Sequence, residues 1–120
     1  MAEKNVYLTI YQGDSFPINV SGLPTDKDYT YYLGFQDPEG NLIGEEISYD
    51  GKKQKAFTFF VTGSYSNQFV IPDETNYADY SFAIKRCYAP EGFEETMRIN
   101  NKPIGTRNII RVYRKQVEGI

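Results

Sequence analysis

The sequence contains no histidine and no tryptophan, and its only cysteine is Cys87. Without histidine, the chain lacks the usual general base at neutral pH and the commonest metal ligand. Ser–His–Asp and Cys–His nucleophilic sites are therefore excluded, and a zinc site is not expected. A lone cysteine also leaves no disulfide to form within the chain. We predict a protein that is not an enzyme and that holds no metal and no cofactor.

Carboxylate pairs are the remaining route to a hydrolytic site, because a glycosidase needs only two acids. Glu45 and Glu46 are adjacent in a predicted strand, so their side chains point to opposite faces. The pairs Asp73–Glu74 and Glu94–Glu95 lie near turns, where acidic residues are ordinary. The segment Asp37–Asn41 lacks the alternating Asp/Asn pattern of a calcium loop. These patterns favour a structural role for the acidic residues and not a catalytic or metal-binding one.

The charge balance gives little support for binding nucleic acid. The chain has 13 basic and 16 acidic residues and a formal net charge of -3, whereas phosphate contacts need a surplus of Lys and Arg. A C-terminal basic cluster is interpreted as a solvated edge strand; it comprises Arg107, Arg111, Arg114 and Lys115. No signal peptide and no apolar run long enough to span a bilayer is visible. We therefore expect neither nucleic acid nor membrane among the partners.

Aromatic residues and short alternating segments are what the sequence has in abundance. It contains 11 Tyr and 8 Phe, and its apolar residues alternate with polar ones in segments such as Val6–Tyr11, Phe16–Val20 and Lys55–Thr62. Turn signals follow about every 8–12 residues, and no helical period extends over ten residues. This pattern predicts one all-β domain over residues 1–120. We expect an antiparallel β-sandwich, immunoglobulin-like or jelly-roll-like, with about eight or nine short strands.

Four smaller segments complete the predicted organisation. Gln68–Ile71 is predicted to be a short apolar strand ended by Pro72, and Asp73–Asn76 to cap a single helical turn. The segment Gly63–Asn67 is predicted to be a turn. Residues 115–120 follow the last predicted strand and are predicted to be a flexible tail.

The number of aromatic residues exceeds what one small core can hide, so some of them should be exposed. Exposed tyrosine is common at protein interfaces. We select Tyr31, Tyr32, Val117 and Ile120 as candidate partner-binding residues. Tyr31 shares a strand face with Tyr29, and Tyr32 points the other way. The alternative is core packing on one face and solvent contact on the other.

A motif near the N-terminus points to a family. The segment Tyr11–Phe16, with Gln-Gly-Asp-Ser-Phe between two alternating strands, resembles the start of small phage β-sandwich domains. These include the N-terminal domains of baseplate upper proteins and related tail and head-fibre components. The resemblance continues through Phe69–Ile71, Asp73–Thr75 and Tyr80–Ile84. It implies a non-catalytic protein that assembles and docks within a virion.

Two departures from that family refine the expectation. Gly22–Thr25 replaces the usual Asp-Leu-Thr-Gly segment, and the sequence lacks the long extension of baseplate proteins. A free-standing adaptor, decoration or head-fibre protein therefore suits the length better. We expect a virion structural protein, made in the host cytoplasm, that binds other virion proteins and itself as a homo-oligomer. The alternative is a carbohydrate-binding or host-surface adhesion module, with a glycan as its ligand.

Overall fold

The computed structural model describes residues 6–99, 102–103, 109–117 and 119. Nearly all of its regular structure is β-strand, as the alternating segments predict. The strands are β1 (Val6–Tyr11), β2 (Phe16–Ser21), β3 (Thr30–Gln36), β4 (Leu42–Asp50), β5 (Ala56–Val61), β6 (Tyr77–Tyr88), β7 (Phe93–Thr96), β8 (Arg98–Ile99), β9 (Lys102–Pro103) and β10 (Ile109–Tyr113). A short helix, α1 (Gly63–Ser66), and a 3-10 turn (Ala89–Glu91) lie between strands.

The strands form two principal sheets. The larger sheet has the order β1–β10–β6–β3–β4, and β7 also pairs with β6; the smaller sheet consists of β2 and β5. Among the strands that the structure describes, every pair is antiparallel except β1 with β10, which run parallel. A small sheet of β2 and β5 packed opposite a sheet that contains β3, β6 and β10 is the immunoglobulin-like arrangement. The predicted fold class, an antiparallel β-sandwich, is confirmed.

The core fills the space between the two sheets. Strands β2, β3, β5, β6 and β10 bury alternate residues because successive side chains point to opposite faces. The small sheet contributes Phe16, Ile18, Val20, Phe57, Phe59 and Val61, and the large sheet contributes Ile10, Tyr31, Leu33, Phe35, Tyr80, Phe82, Ile84, Ile110 and Val112. The strand alternation of the sequence is thus the alternation between core and surface.

Residues 62–76 differ from the sequence prediction. The predicted strand Gln68–Ile71 is irregular, and the single helical turn lies at α1, capped by the Thr62 side chain. The alternation is real, because Phe69 and Ile71 are buried while Val70 is exposed. However, two backbone carbonyls of this segment accept hydrogen bonds from side chains and not from a neighbouring described strand. Gln12 Nε2 donates to the Phe69 carbonyl at 2.9 Å, and the Tyr80 hydroxyl donates to the Val70 carbonyl.

The start of β1 also departs from simple alternation. A bulge between Val6 and Leu8 interrupts the pairing with β10. The extra residue turns Tyr7 toward the core side, where its ring lies 5.3 Å from that of Phe82. Beyond the bulge the alternation resumes, with Leu8 and Ile10 toward the core and Thr9 and Tyr11 outward. A bulge re-aims a side chain in this way because two residues oppose one on the partner strand.

Candidate docking surface

Three tyrosines lie side by side on the outer face of the large sheet. Strand register places Tyr11 of β1 beside Tyr113 of β10, and Tyr113 beside Tyr77 of β6. The Tyr11 and Tyr113 ring centroids are 5.9 Å apart, and those of Tyr113 and Tyr77 are 5.5 Å apart. Tyr11 and Tyr77 are 46% and 40% exposed. We call Tyr11, Tyr77 and Tyr113 the tyrosine row.

An ion pair supports one end of the tyrosine row. Arg111, two residues before Tyr113 on the same face, donates from Nε to Asp79 Oδ1 at 2.8 Å and from Nη2 to Asp79 Oδ2 at 3.0 Å. This hydrogen bonding raises the pKa of the Arg111 guanidinium above its usual range. The same group lies 4.3 Å from the centroid of the Tyr77 ring, a cation–π geometry. The bidentate pair fixes the position of the Arg111 guanidinium and thereby that of the Tyr77 ring beneath it.

The turn that follows β1 fixes the other end of the row. The Gln12 N–H donates to the Tyr113 carbonyl at 2.8 Å, and the Asp14 N–H donates to the Tyr11 carbonyl at 3.0 Å. These bonds hold the last residues of β1 and β10 together. The tyrosine row therefore rests on a backbone whose end is fixed by hydrogen bonds.

The Gln-Gly-Asp motif itself points inward, against α1. The Gly13 N–H donates to Ser66 Oγ at 2.9 Å, and Ser66 Oγ donates to the Asp14 carbonyl at 2.8 Å. Ser66 is fully buried, and Gly13 has φ +90°, a conformation that suits glycine. Gly63 sits so close that a Cβ there would lie 2.3 Å from the Gly13 carbonyl oxygen. These contacts hold the β1–β2 turn against α1, and we call the contacts of Gly13 and Asp14 with Gly63 and Ser66 the interlock.

The predicted contact residues are placed in different environments. Tyr31 is only 1% exposed and packs 5.0 Å from the ring of Phe57, so it is a core residue and is removed from the candidates. Tyr32 is half-buried on the outer face and stays a candidate. Val117 is 81% exposed. Ile120 lies outside the described residues, as does part of the tail predicted over 115–120.

Tyr32 lines a shallow depression at the end of the large sheet remote from the tyrosine row. Its volume is about 390 Å³, and its walls include Tyr32, Glu46, Lys85, Cys87 and Glu94. Lys85 and Glu94 form an ion pair at 3.1 Å across it. Burial raises the pKa of the Cys87 thiol, which keeps the less nucleophilic protonated form at neutral pH.

Sequence reasoning did not select the tyrosine row or Arg111. Part of the row could be predicted from the sequence, because Arg111 and Tyr113 share one face of a predicted strand. Tyr11 is the last residue of another predicted strand. What was missing is the parallel pairing of β1 with β10, which joins opposite ends of the chain. The interpretation of the basic cluster as a solvated edge strand is wrong, because β10 lies between β1 and β6 in the large sheet. Arg111 is paired with Asp79, and Arg114 donates to the carbonyls of Pro72 and Thr75; Arg107 lies outside the described residues.

The described residues include no group of three or more His, Cys, Asp or Glu side chains that could hold a metal ion. Among the same residues, no helix is long and apolar enough to cross a membrane. What the tyrosine row provides chemically is apolar ring area with hydroxyl groups at its margin, held rigidly on a sheet. Such a surface forms noncovalent contacts.

No protein-family model and no curated protein matches this sequence. Solved structures do match, and among them is the periplasmic chaperone SfaE, with a TM-score of 0.56 and 12% sequence identity. The similarity covers 98% of this chain and 57% of the chaperone chain. This chain thus spans little more than half of that protein. At such low identity the likeness shows the immunoglobulin-like sandwich fold alone.

Proposed function

We propose that this protein is a non-enzymatic structural component of a bacteriophage particle that binds other virion proteins through the tyrosine row. The observation that carries the binding role is the set of adjacent rings on β1, β10 and β6, of which Tyr11 and Tyr77 are exposed and Tyr113 is half-buried. Tyrosine offers a large, stiff contact area with a polar tip, and it is enriched with arginine in protein interfaces. Arg111, which lies over the Tyr77 ring, adds the second residue type beside the row.

The geometry of the row suits a protein surface. Its rings are tilted by 40° between Tyr11 and Tyr113 and by 52° between Tyr113 and Tyr77, so they present both edges and faces. Aromatic and aliphatic side chains of a partner pack between such rings in offset or edge-on geometry. The Arg111–Asp79 pair is already charge-neutral, so covering it does not bury an unpaired charge.

The phage assignment rests on the resemblance of Tyr11–Phe16 and the later segments to small virion β-sandwich domains. An adaptor, head-fibre, decoration or baseplate role at a symmetric position of the particle agrees with a small domain that presents one docking face. Western blotting of gradient-purified particles of the encoding phage with an antibody against this chain tests the location. Its absence from purified particles would contradict the virion role.

The second candidate, a carbohydrate-binding or adhesion module, is favoured by the Tyr32 depression. A half-buried ring beside the charged groups of Lys85, Glu46 and Glu94 offers both stacking and hydrogen bonding to a sugar. A glycan array with the purified chain tests it, with Tyr32→Ser as the variant that should remove any signal. No bound glycan on the array would count against this candidate.

Two matched variants separate the functions. The double variant Tyr11→Ser and Tyr77→Ser removes the exposed ends of the tyrosine row, while Tyr32→Ser removes the ring of the depression on the same sheet face. We expect the double variant to lose incorporation into particles, measured by complementing a phage that lacks the gene, and Tyr32→Ser to be incorporated normally. Normal incorporation of the double variant would contradict the docking role of the row.

A further inference from the structure

The two sheets of the sandwich differ in width, and the difference leaves part of β4 uncovered. On β3, the inward residues Leu33 and Phe35 are 0% exposed. Their direct cross-strand partners on β4 are Ile47 and Ile43, which share the same face. Both of these are only half-buried, although they pack against the core. The small sheet therefore does not extend fully over β4.

Two aromatic side chains bound the uncovered part. At one end Tyr49 stacks on Phe57 of β5, with ring centroids 4.1 Å apart and planes 4° apart. At the other end the Tyr65 hydroxyl donates to the Ile43 carbonyl. Ile47 lies between them, at a depression of about 560 Å³ lined by Gly44, Glu45, Glu46, Ile47, Tyr65 and Gln68. We call this depression, with the adjacent free edge of β5, the window.

The free edge of β5 carries none of the devices that protect sheet edges. Such devices are proline, charge and bulges. The other edge strands have them: Pro17 on β2, a bulge and Glu45–Glu46 on β4, and the bulge after Val6 on β1. In contrast, Ala56–Val61 has no charge and no proline, and pairs with β2 in unbroken register. Among the described residues, β2 is its sole strand partner.

We propose that the free edge of β5 accepts an extended segment of a partner protein as a third strand of the small sheet. The added strand would pair by backbone hydrogen bonds, and its alternate apolar side chains would cover Ile47 and Tyr49. A strand from a second copy of β5 fits less well. Two-fold pairing of β5 strands would bring two uncharged edges together and would offer no basic partner to the exposed Glu45 of either copy.

Charge identifies the chemistry of this segment. Glu45 is exposed at the window and forms no ion pair with a described residue, whereas Glu46 also lines the Tyr32 depression on the outer face. The β5 edge itself is uncharged. A segment that alternates apolar residues with polar and basic ones therefore complements the window in both pattern and charge. This site is distinct from the tyrosine row and does not depend on the phage role.

Fluorescence anisotropy with a defined probe tests the proposal. The probe is a short fluorescein-labelled peptide in which valine alternates with lysine and threonine, titrated into the full chain. We expect saturable binding that is lost when alternate backbone amides of the probe are N-methylated, because these can no longer donate to a strand edge. Hydrogen exchange of the amides in 56–61 should slow on binding, while that of β1 should not change.

Two charge variants sharpen the test. Glu45→Lys should weaken binding about fivefold, because an exposed attraction becomes a repulsion. Glu39→Lys makes the same change on an exposed turn and should leave the affinity unaltered, as should the double variant of the tyrosine row. Absence of saturable binding, equal binding of the N-methylated probe, or protection at β1 instead of β5 would overturn the proposal.

Discussion

The Gln-Gly-Asp turn directly follows Tyr11, the first residue of the tyrosine row, but the turn and the row face opposite sides of the structure. Gln12, Gly13 and Asp14 direct their hydrogen bonds inward, to Phe69 and to the buried hydroxyl of Ser66. Tyr11, the residue just before them, directs its ring outward. The recognisable motif therefore specifies how the fold closes, and the tyrosines on the outer face, which form no motif, are the proposed contact surface. Substitutions at the two places should separate stability from binding.

The largest effect on stability is expected at Gly63. Gly63→Ala would place a Cβ 2.3 Å from the Gly13 carbonyl oxygen, and backbone cannot give way as a flexible side chain can. Because the turn and α1 would have to separate, we expect the free energy of unfolding to fall by about 3 kcal/mol. Urea denaturation measures it, with Ser64→Ala on the exposed side of α1 as the control. An unchanged midpoint would show that the interlock is not needed.

The next largest effect is expected at Ser66, the buried hydroxyl of the interlock. Ser66→Ala leaves the Gly13 N–H and the Asp14 carbonyl without their side-chain partner. An unsatisfied buried group carries its full desolvation cost, so we expect a loss of about 2 kcal/mol. Thermal unfolding measures it, and Ser66→Thr, which keeps the hydroxyl, serves to separate hydrogen bonding from volume. Equal stability of Ser66→Ala and the unaltered chain would contradict this role.

A smaller and pH-dependent effect is expected at Tyr65, which joins α1 to β4. Burial raises the pKa of the Tyr65 hydroxyl to about 12, so the folded state holds this proton more tightly than the unfolded state does. Its contribution to stability is therefore complete below the ordinary value of about 10 and is lost as the pH rises through about 12. Tyr65→Phe should reduce stability by about 1 kcal/mol at neutral pH.

The pH dependence distinguishes this mechanism from a simple packing loss. Between about pH 9 and about pH 11.5, the urea midpoint of the unaltered chain should fall more than that of Tyr65→Phe, because the variant has no proton to lose at this position. Parallel decreases in the two proteins would mean that Tyr65 ionisation does not limit stability at high pH.

The sequence predicted the strands of the sandwich better than which of their faces is buried and which strands become neighbours. Local alternation showed that Tyr31 and Tyr32 lie on opposite faces, but the face that is buried depends on the sheet packed against it. Residues 68–71 alternate like a strand, yet Gln12 and Tyr80 satisfy their carbonyls from distant parts of the chain. The tyrosine row likewise depends on which strands become neighbours. Long-range pairing of this kind is not contained in a local pattern.

The smallest effect on stability, and the sharpest test of the comparison, is expected at Tyr11. Tyr11→Ser removes a ring that is 46% exposed and that contacts one neighbouring ring, Tyr113. Surface substitutions of this kind change the free energy of unfolding by about 0.5 kcal/mol. Urea denaturation should therefore give nearly the same midpoint as the unaltered chain, whereas incorporation into particles should fall. If Tyr11→Ser were instead as destabilising as Ser66→Ala, the row would belong to the structural framework of the turn, and the contact surface would have to be sought at Tyr32 or the window.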